Sequence, residues 1–168
     1  GASVANAGVK KLILLNAHGG QISVIDIVAR DLRIAHDMLV VAANWFALGL
    51  PDGVIDTEER VRGIHAGEME TAMMLALRPD LVVMERARNF GSLTGRLDRN
   101  FLHLGLGPAA RLGWQVQDLN PAGAVGNAAA GTAATGTAII DYVSRAMIDL
   151  FWDVYRAPIS LLHNPTEI

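Results

Sequence analysis

The chain reads as an α/β layered domain built on a parallel sheet, and three stretches of sequence say so. Lys11-Leu12-Ile13-Leu14-Leu15 and Met38-Leu39-Val40-Val41-Ala42-Ala43 are continuous apolar runs without alternation, the pattern of strands covered on both faces. Between them Ile22, Ile25, Val28, Ala29 and Leu32 recur at helical spacing, so the three elements form a βαβ crossover, right-handed by default. A long amphipathic helix is predicted over residues 133–155, where Ile139, Ile140, Val143, Met147, Leu150, Phe151 and Val154 repeat at three and four.

Taken in order, residues 1–8 read as the last turns of a helix closed by Gly8, rather than as a natural start. The first strand then runs into a turn at Asn16-Ala17-His18-Gly19-Gly20, and the helix over 22–34 follows. After the second strand, residues 50–63 are polar and contain Pro and Gly, as a loop would be. A helix is expected over 68–77, stopping before Pro79. Residues 80–108 carry no clear period, with Phe90 and Phe101 as the expected anchors. The Ala/Gly/Thr-rich stretch 122–137 reads as a loop leading into the last helix.

Bulk properties narrow the function. With 168 residues, 51% of them apolar, the chain can bury one core but hardly two, so a single domain over 1–168 is expected. A net charge of −3 with scattered Lys and Arg offers no stripe for nucleic acid, and no apolar run is long enough for a bilayer. A cytoplasmic location is the default expectation, with a small molecule or a protein as the partner. The absence of cysteine leaves His, Asp and Glu as metal ligands, which suits zinc, manganese or iron.

Two segments could carry chemistry. In open α/β sheets ligands gather beyond the C-terminal ends of strands, where the Asn16–Gln21 turn falls. Gly19 and Gly20 let the backbone pass close to a ligand, and the helix that follows points its amides there. His18 is then a candidate ligand; the equal alternative is a tight turn with a surface histidine. The spacing of a phosphate loop or a dinucleotide fingerprint is missing. In the second segment, His65-Ala66-Gly67-Glu68-Met69-Glu70-Thr71, three ionisable groups crowd into six residues at the head of a helix. His65 and Glu68 share one helical face if the helix begins early enough, and could share a metal or divide ligation from proton transfer. The alternative is that Glu68 and Glu70 merely complement the helix dipole.

Together the Asn16-Ala17-His18-Gly19-Gly20-Gln21 turn, the His65-to-Thr71 segment and its continuation through Pro79-Asp80-Leu81-Val82 resemble the creatininase (creatinine amidohydrolase) family. The resemblance extends to Gly126-Asn127 and the last helix. It implies a three-layer α/β/α domain with a largely parallel sheet, a homohexamer, and a divalent metal, zinc first with manganese or iron as alternatives. That metal would activate water against a non-peptide amide, cyclic amides included. By position, His18 and Glu68 would ligate the metal, His65 would be catalytic, and Trp45 would lie near the substrate. Asn16, Gly19, Gly20 and Glu70 would support them. Gln21, Ala17 and Ala72 depart from the family's usual Asn, Gly and Ser. The larger departure is that family members carry an N-terminal portion, with an early Glu-x-His pair and an Asp among the ligands, which nothing here matches. Asp26, Asp31 and Asp56 lie in the wrong context. The chain is therefore expected to lack that portion, or to receive the missing ligands from a separate chain or segment.

The competing reading is a non-catalytic or partner-dependent subunit of a creatininase-like assembly; a phosphate-binding module is weaker. Phe151, Trp152 and Tyr155 near the end of the last helix suggest an interface, with a helix packed only on its own core as the equal alternative, so the homohexamer rests on the resemblance. His36, His103 and His163 have no motif around them.

Overall fold

The computed structural model describes residues 1–107 and 110–163. The chain divides into two compact units, one of residues 1–49 with 143–168 and the other of residues 50–142.

The first unit is the predicted βαβ arrangement. Helix α1 (Ala2–Asn6) ends ahead of Gly8, whose φ of +85° is a conformation that favours glycine. Strand β1 (Lys11–Asn16) pairs in parallel with β2 (Leu39–Asn44), in a register that sets Lys11 beside Leu39 and Asn16 beside Asn44. Helix α2 (Ile22–His36) connects them and closes at Asp37, a left-handed residue with φ of 50° whose carboxylate receives Arg33 Nη1 at 3.1 Å. Met38, fully buried, and Leu39, Ala43 and Ala29 form the core. Burial of a side chain such as Met38 stabilises by about 1.5–3 kcal/mol. The strands are less covered than their apolar runs predict: most of β1 is half-buried and Leu15 is 55% exposed. Among the described residues this sheet has two strands, β1 and β2, and part of the apolar run of β1 stays uncovered by them.

The second unit begins with a helix that the sequence reading places in a loop. Residues 57–62, expected in a loop, form helix α3 (Thr57–Arg62), because Asp56 Oδ1 accepts the Glu58 N–H at 2.8 Å as an N-cap and Glu58 and Glu59 occupy the first turn. Helix α4 (Glu68–Leu77) has the predicted bounds and stops ahead of Pro79. The stretch after it is more ordered than its composition suggests, within the described part that excludes Pro108. Strand β3 (Asn89–Phe90) and helices α5 (Thr94–Asn100) and α6 (Val116–Leu119) lead to β4 (Gly126–Asn127), which is antiparallel to β3. Phe90 is half-buried, but Phe101 is 51% exposed; Thr94 and Leu97 anchor the segment instead, because Phe101 lies just past the end of α5 while those two face inward.

Helix α7 (Ala133–Arg156) matches its prediction to within a residue. Ile139, Val143 and Val154 form its buried stripe, while Phe151 is 47% exposed. Its N-terminal part lies so close to α4 that a Cβ on Gly136 would meet the Ala72 carbonyl oxygen at 2.0 Å, so only glycine fits that crossing. In the first unit, Lys11 Nζ donates to the Val154 carbonyl at 2.9 Å near the C-terminal end of α7, where a cation complements the helix dipole. Among the described residues, no helix is long and apolar enough to cross a membrane.

Candidate functional site

The turn after β1 is organised by one buried amide. Asn16 has no exposed surface, and its Nδ2 donates to Asn44 Oδ1 at 2.6 Å, across the last register pair of the sheet. That bond leaves Asn16 Oδ1 facing the turn, where it accepts the His18 N–H at 3.0 Å and Gln21 Nε2 at 2.8 Å. Every polar atom of the amide side chain is thereby engaged, as burial requires. The His18 backbone is extended and its imidazole is exposed. A Cβ on Gly20 would lie 2.8 Å from His18 Nε2, so Gly20 makes room for the ring, while Gly19 has open space beside it. Trp45, at the start of a 3₁₀ turn after β2, is half-buried and meets Phe46 edge-on with centroids 6.0 Å apart.

The head of α4 is organised by a carboxylate that sequence reasoning passed over. Glu59, on α3, accepts the Glu68 N–H at Oε1 and the Asn127 N–H at Oε2, both at 2.8 Å. The first satisfies one of the helix's otherwise unpaired N-terminal amides. Three glycines enclose that carboxylate: a Cβ on Gly63, Gly67 or Gly126 would come within 2.3, 2.3 or 2.5 Å of Glu59 Oε1. The sequence offered only Gly63 and Gly67 beside the second motif; Gly126 joins them in space alone, and nothing in the sequence said which side chain they admit.

His65 is not on the helix. It forms an antiparallel bridge with Val125, exchanging N–H···O bonds of 3.1 and 2.7 Å, so the one-face spacing with Glu68 does not apply. Ala66 follows in a left-handed conformation, φ 52°, that costs an L-residue roughly 1–2 kcal/mol. The Ala66 N–H donates to Glu70 Oε2, the same oxygen that stands 3.7 Å from His65 Nδ1. Glu70 therefore folds back toward His65, away from Glu68.

Glu68 is half-buried in a cleft of about 260 Å³ within the second unit, whose lining includes Asp56, Glu59, Arg62, Phe90 and Asn127. Burial, and then the nearby carboxylates of Glu59 and Asp56, push its carboxyl above the ordinary range. Asp56, set aside in the sequence, thus contributes both a helix cap and charge to the cleft. A divalent cation would relieve that crowding, so the donor chemistry of Glu68 fits a metal ligand, as does the exposed imidazole of His18. Among the described residues, no three His, Asp or Glu side chains are grouped as a metal site. The structure gathers Asn16, His18, Gly19 and Gly20 in one cluster and His65, Glu68 and Glu70 in another.

The chain matches the family model for creatininase, described as creatinine amidohydrolase, over residues 1–151. Among solved structures, it is similar to a putative creatinine amidohydrolase from Bacteroides fragilis NCTC 9343, with 26% identity and a TM-score of 0.71 over 94% of this chain and 58% of that one. It shares its fold with a mutant creatininase of Zn–Zn type (24% identity, TM-score 0.59) and with a manganese creatininase (22%, TM-score 0.61), each match covering 92% of this chain and 60% of the other. The chain thus spans about three-fifths of the length of these structures. None of the curated proteins compared with it matches. By the family match and the shared α/β fold, the chain belongs to the creatininase family.

Proposed function

We propose that this chain carries the catalytic histidine and part of the metal site of a metal-dependent amidohydrolase that opens a non-peptide, often cyclic, amide C–N bond. Beyond family membership, the observation that carries this reading is the state of Glu68, a half-buried carboxylate beside two others, the condition that a bound divalent cation relieves. In this reading His18 and Glu68 hold the metal, zinc or manganese as in the forms of the similar creatininases, and further ligands come from another segment or chain. When bound, the metal supplies Lewis acidity that brings the pKa of water toward neutrality.

The remaining roles belong to the chain's own groups. Water adds its oxygen to the carbonyl carbon, and the C–N bond breaks with its electron pair on nitrogen. His65 donates the proton that nitrogen needs, or holds the developing oxyanion. Glu70 Oε2 stands 3.7 Å from Nδ1, on the ring edge that it supports in this reading. Asn16, Gly19 and Gly20 fix the backbone under His18, and Trp45 offers an aromatic face to the substrate. The full assembly is a cytoplasmic homohexamer in this reading, with a small-molecule amide as its substrate.

A second reading, a partner-dependent or non-catalytic subunit, draws on the lack of a three-residue ligand group among the described residues. Two variants separate them. His65→Ala lowers turnover on a panel of lactams and amides by about 10²–10⁴-fold with metal content unchanged, while Glu68→Ala loses metal, read by plasma mass spectrometry. Normal metal content in Glu68→Ala overturns the ligand assignment; no turnover by the parent protein with metal and its partners present favours the second reading.

A further inference from the structure

We infer that Glu59 is the positioning residue of the α4 site: its carboxylate ties the first amide of α4 to strand β4 and so sets where Glu68 stands in the cleft. The inference rests on the proposed role of Glu68. Three independent features of the geometry carry it.

One is the pair of hydrogen bonds. Oε1 takes the N–H of Glu68 itself, and Oε2 takes the N–H of Asn127, which lies 68 residues away in sequence, so a single side chain joins α3, α4 and β4. Charge-assisted bonds of this kind are about twice as strong as neutral ones. Another is the space around the carboxylate, which no side chain larger than hydrogen at Gly63, Gly67 or Gly126 would leave open. Gly126 accepts a φ of +134° to do so. The third is the direction of the restraint. Glu59 holds the backbone of Glu68 but makes no bond to its carboxylate oxygens, which stay available to a ligand in the same cleft that Glu59 lines.

Glu59→Gln keeps the size of the side chain but replaces one acceptor by an NH₂ group, so at least one of the two amides loses its partner. The expected result, on the full-length protein, is faster hydrogen exchange at the Glu68 and Asn127 amides, helix content unchanged by circular dichroism, and zinc affinity weaker by about 10–100-fold, the size usual for groups that orient metal ligands. A purely structural role would lower the melting temperature without moving the zinc affinity. Gly67→Ala leaves the carboxylate intact but puts a Cβ 2.3 Å from Oε1, and it should weaken zinc binding by the same route should Glu59→Gln fail to fold. Zinc affinity within twofold of the parent in a folded Glu59→Gln, alongside a Glu68→Ala protein that has lost zinc, overturns the inference and leaves the Glu68 reading standing. Parent-like zinc binding by Glu68→Ala, or no zinc uptake by the parent, overturns the Glu68 reading and the inference with it.

Discussion

The two turns that hold the candidate residues, one in each unit, are built in opposite ways. At the end of β1 the organising group is a neutral amide, Asn16, whose partners His18 and Gln21 are two and five residues away and whose third, Asn44, is its neighbour in the sheet register. At the head of α4 the organising group is a carboxylate, Glu59, that binds amides nine and 68 residues away within a wall of glycine backbone. The first turn is therefore local and tolerant in its surroundings; the second is assembled from distant pieces and has no slack. A substitution that crowds the second should meet the Glu59 carboxylate and glycine backbone together, and one that crowds the first should meet one exposed side chain.

Gly126→Ala should show the largest effect. The new Cβ would stand 2.5 Å from Glu59 Oε1, 2.7 Å from Gly67 Cα and 3.0 Å from Gly63 Cα, at a φ of +134° that an L-residue rarely adopts. Strain and overpacking together predict a loss of about 3–5 kcal/mol in urea unfolding. A loss under about 1 kcal/mol would show that the glycine wall can yield, and the contrast between the turns would fall.

Asn16→Ala is next, at about 2–3 kcal/mol, because it strands Asn44 Oδ1, the His18 N–H and Gln21 Nε2 around a fully buried position. Gln21→Ala, which removes one bond from an exposed residue, should cost about 0.5–1 kcal/mol by the same measurement. Equal losses from the two variants would mean that Asn16 is not the hub of its turn.

The same contrast decides what could be read from sequence. Both parallel strands, α2, α4 and α7 were legible because each writes its pattern within its own residues, apolar runs or a three-and-four repeat. Helix α3 was hidden because its stability comes from the Asp56 cap on a segment with no apolar period. Phe101 was misjudged because an aromatic residue says nothing of whether it falls inside or just past a helix. His18, His65 and Glu68 were visible as short motifs, whereas the burial of Asn16 and its bond to Asn44 depend on the register of two strands and were not. Glu59 was not visible, because its meaning comes from Gly63, Gly67 and Asn127 meeting it in space.

Glu68 provides a smaller, pH-dependent test of the acidic turn in the metal-free protein. Its folded carboxyl is raised by burial, Glu59 and Asp56, so the folded state holds a proton that the unfolded state has released. Stability should thus fall as pH rises through the ordinary carboxylate range and just above it, the reverse of a salt-bridged acid. Glu68→Gln should flatten that slope in unfolding curves taken across the range. A slope unchanged by the substitution would place the strain on another group, and the turn after β1, with its neutral amide hub, should contribute no comparable slope.

The smallest stability change belongs to Gly20→Ala, which crowds the first turn as Gly126→Ala crowds the second. Its Cβ would meet His18 Nε2 at 2.8 Å, but that atom is the far end of an exposed, rotatable side chain, and Gly20 does not occupy a left-handed conformation. The ring can swing away, and alanine restricts the unfolded chain more than glycine does. The net effect should lie between no change and about 0.5 kcal/mol of stabilisation. Under the proposed role of His18 as a ligand, the swing should nevertheless displace it and weaken metal binding, so stability and function would part at this residue. A marked loss of stability in Gly20→Ala would mean that the His18 ring is held in place by the fold, and that the first turn is as closely packed as the second.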